Sequence, residues 1–104
     1  MTKENNPEKK QINIQVDIDD ITAQGTYSNL AITNYSQEEF LLDFVFIQPH
    51  VKKGKIRNRV ILSPRNAKKL AHMLMNNIEK YENNFGFIPE EPGKPSNGIE
   101  LSIN

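Results

Sequence analysis

Thirteen carboxylates, thirteen lysines and arginines and two histidines are the side chains here able to do acid–base or electrostatic chemistry, and no cysteine accompanies them. Without thiols there is no disulfide framework, zinc–thiolate site or thiol nucleophile. His50 falls in an expected turn and His72 on the polar side of an expected helix. Neither has a second histidine or carboxylate at ligand spacing, so no metal site and no cofactor is expected. Asp43 is the one acid inside an apolar run, a setting that raises a carboxylate pKa. The reading preferred here is structural: a pair with Arg57 or Arg59 on the neighbouring strand. Glu38-Glu39 and Asp19-Asp20 read as solvated turn acids. Gly25, Gly54, Gly86, Gly93 and Gly98 stand singly, so no loop cradles a phosphate, and no nucleophile stands beside a base. The residues point away from an enzyme.

Charge is segregated although the net is zero. Residues 50–69 hold Lys52, Lys53, Lys55, Arg57, Arg59, Arg65, Lys68 and Lys69 with no acid, a local charge of +8. Residues 1–49 sum to −5 and residues 70–104 to −3. Such a distribution makes a field that a well-mixed neutral chain lacks. The eight cations span a turn, a strand and a first helical turn, and are expected to converge at one end of the sheet. They suit an acidic protein surface or nucleic acid. Aromatic side chains that would stack single-stranded bases are absent from this stretch. The plainer alternative is a basic strand that discourages edge-to-edge aggregation and pairs with the acidic N-terminal half.

The elements that position these residues follow from hydrophobic spacing. Residues 1–10 are polar and read as a disordered tail. Ile12, Ile14, Val16 and Ile18 alternate with polar residues, which predicts a half-buried first strand ended by Asp19-Asp20. A second strand is expected over Thr26–Tyr35, after a turn containing Gly25. Leu30 and Ile32 point one way; Tyr27, Ala31 and Tyr35 point the other. The third, Glu39–Gln48, carries Phe40, Leu42, Phe44 and Phe46 on one face and Leu41, Val45 and Ile47 on the other, interrupted only by Asp43. A strand apolar on both sides belongs at the centre of a sheet covered on both faces. The basic turn Lys52–Lys55 leads to a fourth strand, Lys55–Leu62, with Ile56, Val60 and Leu62 inward and Arg57, Arg59 and Ile61 opposite. Asn29 and Asn58 sit within strands, where asparagine is disfavoured, and read as structural.

Ser63-Pro64 is a helix start: the serine caps free N–H groups and proline at the first position loses no bond. At about 100° per residue, Ala67, Leu70, Ala71, Leu74, Ile78, Tyr81 and Phe85 share one stripe. Gly86 ends the helix. Pro89 to Gly98 reads as a linker, and Ile99, Leu101 and Ile103 alternate again, which fits either a short edge strand, in this subunit or a neighbour, or a frayed end.

The expected fold is therefore α+β: a four-stranded antiparallel β-meander followed by one long C-terminal α-helix packed on one sheet face. Residues 11–88 form the single domain, and 89–104 a Pro/Gly-rich C-terminal tail. One helix cannot cover two sheet faces. A second subunit is expected over Leu41, Val45 and Ile47, making the protein a homo-oligomer such as a homodimer. The absence of an apolar leader, of cysteine and of an apolar stretch of ~18 residues makes the cytoplasm the expected location, with no membrane partner.

The ordered series Ala23-Gln24-Gly25-Thr26-Tyr27-Ser28-Asn29-Leu30, Glu39-Phe40-Leu41-Leu42-Asp43-Phe44 with Pro49, Arg59-Val60-Ile61-Leu62-Ser63-Pro64, Ala67-Lys68, Leu70, Leu74, Asn77, Tyr81-Glu82, Phe85-Gly86 and Ile88 resembles a family of small bacterial proteins classed as a domain of unknown function. The resemblance covers roughly residues 12–88 and carries no catalytic residue or ligand with it. Its members are encoded beside RNA polymerase large-subunit genes, which implies a role near transcription. The order of strands and helix is also similar to that of the export chaperone SecB, which implies apolar grooves for unfolded chains. That chaperone has a further C-terminal helix where this chain has one.

Overall fold

The computed structural model describes residues 12–90. The expected N-terminal tail, the strand at 99–103 and most of the linker lie outside the described residues. The elements run α1 (Asp20–Ala23), β1 (Leu30–Tyr35), β2 (Phe40–Ile47), β3 (Gly54–Leu62) and α2 (Pro64–Phe85). This is an α+β arrangement with an antiparallel sheet of order β1-β2-β3.

The sheet has three strands among the described residues, not four. Residues 12–18 pair with no other strand, and Ile12, Ile14, Val16 and Ile18 are 79%, 74%, 85% and 65% exposed. Alternation marks a segment suited to a sheet, but a strand exists only where its N–H and C=O groups meet a neighbour's. The acids that follow do not end a strand; they start a helix. The Asp19 carboxylate accepts from the Thr22 N–H at 3.3 Å and caps α1. Gly25, at φ +82°, then donates its N–H to the Thr22 carbonyl and turns the chain toward β1.

β2 is central, as its two-sided apolar pattern requires. Directly opposite residues share a face in an antiparallel ladder. Leu30, Ile32 and Asn34 thus lie with Val45, Asp43 and Leu41, while Ala31, Thr33 and Tyr35 lie with Phe44, Leu42 and Phe40. Tyr35 stacks on Phe40 with ring centroids 5.7 Å apart. Asn29 extends this ladder with its side chain. Its amide donates to the Ile47 carbonyl at 3.0 Å and accepts from the Ile47 N–H at 2.9 Å. The carboxamide thereby replaces a peptide group.

β3 pairs with β2 through an irregularity at Phe44/Val45, where Asn58 stands opposite Phe44 and Ile56 opposite Val45. Arg57 is the extra residue. The bulge corrects the expected facing of β3: Val60 and Leu62 lie with Leu42 and Phe40, but Ile56 crosses to the Val45 face.

α2 runs between the signals expected of it. The Ser63 hydroxyl accepts from the Asn66 N–H at 3.2 Å, Pro64 opens the helix, and Gly86, at φ +109°, follows its last residue. It is not packed on a sheet face, however. None of its residues is buried, its contacts with the sheet concentrate at β3, and Leu74, Tyr81 and Phe85 are 55%, 49% and 75% exposed. Ser63 alone joins β3 to α2, whereas a connection that turns an element back on its neighbour usually takes two to six residues. Among the described residues only Val45 and Asp43 are buried.

Candidate functional site

The eight cations of residues 50–69 are all exposed, but they do not converge at one end of the sheet. Lys52 and Lys53 lie in the β2–β3 connection, Lys55, Arg57 and Arg59 on β3, and Arg65, Lys68 and Lys69 in the first turns of α2. β3 separates the two outer groups by about 27 Å at ~3.4 Å per residue. The result is a basic row along a strand that forms the edge of the sheet among the described residues, with a group at each end. Its connection is closed by the Gln48 N–H donating to the Lys53 carbonyl at 3.1 Å, and Lys52 occupies the left-handed region at φ +58°. Gly54 begins β3 because a Cβ there would lie 3.1 Å from Val45 Cγ1 and 3.2 Å from Ile47 Cγ1.

Arg59 is committed to the sheet. Its Nε donates to Asp43 Oδ1 at 2.6 Å and its Nη2 to Asp43 Oδ2 at 2.9 Å. The Asp43 side chain has no solvent exposure, and that of Arg59 is 47% exposed. The guanidinium holds the Asp43 carboxyl below the usual carboxylate range, overcoming the opposing effect of burial. The carboxylate in turn raises the Arg59 pKa. Asp43 is therefore a charged structural anchor, the wrong state for a general acid at neutral pH.

Leu41, Val45 and Ile47 share the Asp43 face. Val45 is already 5% exposed, shielded within its own sheet, while Leu41 and Ile47 are half-buried. The larger apolar surface is elsewhere. On α2, Met73, Leu74, Met75, Tyr81 and Phe85 are each about half exposed or more. The stripe expected against the sheet is thus open, and the run Met73-Leu74-Met75 makes the helix apolar around more than one side. His50 and His72 are both exposed. His72, Glu79 and Glu82 border an open hollow of about 850 Å³ whose lining, among the described residues, comes from α2. Among the described residues no three histidine or carboxylate side chains gather as metal ligands would, and no helix is long and apolar enough to cross a membrane.

The family described as protein of unknown function (DUF3467) matches residues 1–90, and the chain belongs to that family. Neither the curated proteins nor the solved structures contain a match.

Proposed function

We propose that this chain is a non-enzymatic, cytoplasmic binding module that works as a homo-oligomer and presents the basic row of β3 to an acidic partner. The observation that carries this reading is the burial of Val45 and Asp43 alone among the described residues. The folded state of a domain is a small surplus of burial over chain entropy. A lone subunit with half-exposed apolar residues on both sheet faces and along α2 lacks the burial that sustains such a surplus. Other copies of the chain supply it.

The basic row supports the second half of the reading. An edge strand bearing Lys55 and Arg57, with Lys52 and Lys53 before it, repels strand addition by like-charged neighbours and attracts an anionic surface. An acidic protein face is the preferred partner; nucleic acid is the other class of acidic surface, in keeping with the role near transcription that the resemblance implies. Light scattering on the full chain at ~100 μM tests the assembly. A dimer or larger species is expected, and a strict monomer overturns it. Titration with an acidic peptide and with duplex DNA at several salt concentrations tests the row, because charge-driven affinity falls steeply with salt. No binding of either at low salt overturns it.

A second reading draws on the exposed Met73, Leu74, Met75, Tyr81 and Phe85. Such a surface suits a SecB-like holder of unfolded polypeptide. Failure to suppress aggregation of a denatured model substrate counts against it.

A further inference from the structure

The apolar positions of α2 form a stripe that the sheet leaves uncovered. Ala67, Ala71, Leu74, Ile78, Tyr81 and Phe85 follow one another by four, three, four, three and four residues. The five intervals span 18 residues, a mean of 3.6, so these side chains form one straight stripe, in which positions seven apart (Ala67, Leu74, Tyr81 and Ala71, Ile78, Phe85) alternate as the two rows of a helix-pair seam do. The face is open: Leu74, Tyr81 and Phe85 are 55%, 49% and 75% exposed. Tyr81 and Phe85 already lie against each other, with ring centroids 5.0 Å apart.

We infer that α2 pairs antiparallel with α2 of a second copy of this chain, about a two-fold axis passing near Asn76. This names the interface of the homo-oligomer proposed above and rests on that reading. About that axis Ala67 stands opposite the partner's Phe85, Ala71 opposite the partner's Tyr81, and Leu74 opposite the partner's Ile78. Each outer layer therefore joins one small and one large side chain, and the central layer joins two of middle size, so the seam fills evenly. A parallel pair would stack Phe85 on its own copy and Ala67 on its own copy, overfilling one end and leaving the other hollow.

Charge selects the same direction. The first turns carry Arg65, Lys68 and Lys69 with no acid, and the later turns carry Glu79 and Glu82 against the single Lys80. Antiparallel pairing sets Lys68 beside the partner's Glu82 at both ends of the seam, whereas parallel pairing sets six cations together. The helix dipoles also oppose one another in the antiparallel arrangement.

The chain contains no cysteine, so introduced thiols report geometry without background. Ala71→Cys protein mixed with Tyr81→Cys protein should form the mixed disulfide on mild oxidation, resolved by intact mass, while Ala71→Cys alone should not link to itself. Self-linking of Ala71→Cys without the mixed species shows a parallel pair and overturns the inference. Leu74→Asp with Ile78→Asp should weaken self-association on the order of a hundredfold or more, by placing charge in the seam. Lys68→Glu should weaken it several-fold, and Lys68→Glu with Glu82→Lys should restore it. If the Asp pair leaves the folded chain fully associated, the helix seam is wrong and the homo-oligomer stands. If the unaltered chain is a monomer, both fall. Should the Asp pair unfold the subunit, the disulfide result decides.

Discussion

Asp43 on β2 and Arg59 on β3 stand directly opposite each other and are joined by two hydrogen bonds, of 2.6 and 2.9 Å, between a fully enclosed carboxylate and a half-exposed guanidinium. The folded carboxyl binds its proton less readily than the unfolded one does, because Arg59 stabilises its charge. Its contribution to stability is thus fully present above the unfolded carboxylate pKa of about 3.9 and is lost as pH falls through the lower folded value. Thermal unfolding followed from pH 6 to pH 2 should show Asp43→Asn losing less on acidification than the unaltered chain. Equal losses would mean that other carboxylates govern the acid limit.

The two partners should not be equivalent. Arg59→Met leaves a carboxylate enclosed without its donors, whereas Asp43→Leu with Arg59→Met leaves an apolar pair in an apolar strand. Arg59→Met should lower Tm by at least about 5 °C, and the double variant should recover part of that loss. A double variant less stable than the single one would show that Asp43 serves the fold without Arg59.

The Asn29 side chain both donates to and accepts from the Ile47 backbone. Asn29→Asp keeps the acceptor but sets a charge against the Ile47 carbonyl; Asn29→Ala removes both bonds. Each should cost about 1–2 kcal/mol in urea unfolding, with Asp no better than Ala. Unchanged stability in Asn29→Ala would reduce the two bonds to bystanders.

Ser63→Ala removes the hydroxyl that accepts from the Asn66 N–H. The loss should be about 1 kcal/mol, seen in helix signal and Tm together. Ser63→Asp should hold most of the stability, since its carboxylate accepts the same bond.

The parts of the fold legible in the sequence are those set by local chemistry. Ser63, Pro64 and Gly86 bound α2 because capping and left-handed backbone are properties of single residues. Phe40–Ile47 declares a central strand because its own two faces are apolar. The Asp43–Arg59 pair was one of two partners that strand adjacency permitted. What could not be read depends on distant partners. The alternation of Ile12–Ile18 describes two faces of a ribbon but not what lies beside it. The extra residue at Arg57 moves Ile56 to the other face, and no residue type near it announces a bulge. The stripe on α2 marks an apolar face but not what covers it; its assignment to the sheet failed because the helix leaves β3 after Ser63 alone and meets the sheet chiefly at that strand.

With 22 residues, α2 is a rod of about 33 Å at ~1.5 Å rise per residue. β3 feeds directly into its first turn, so an antiparallel pair carries one cationic edge near each extremity. In the helix pair inferred above, helix length would act as a ruler that fixes the pitch at which two weak contacts are offered. A target whose anionic groups recur at a similar span would engage both, and the second contact would form at high effective concentration. Inserting one heptad into α2 would change that pitch while leaving either contact alone intact.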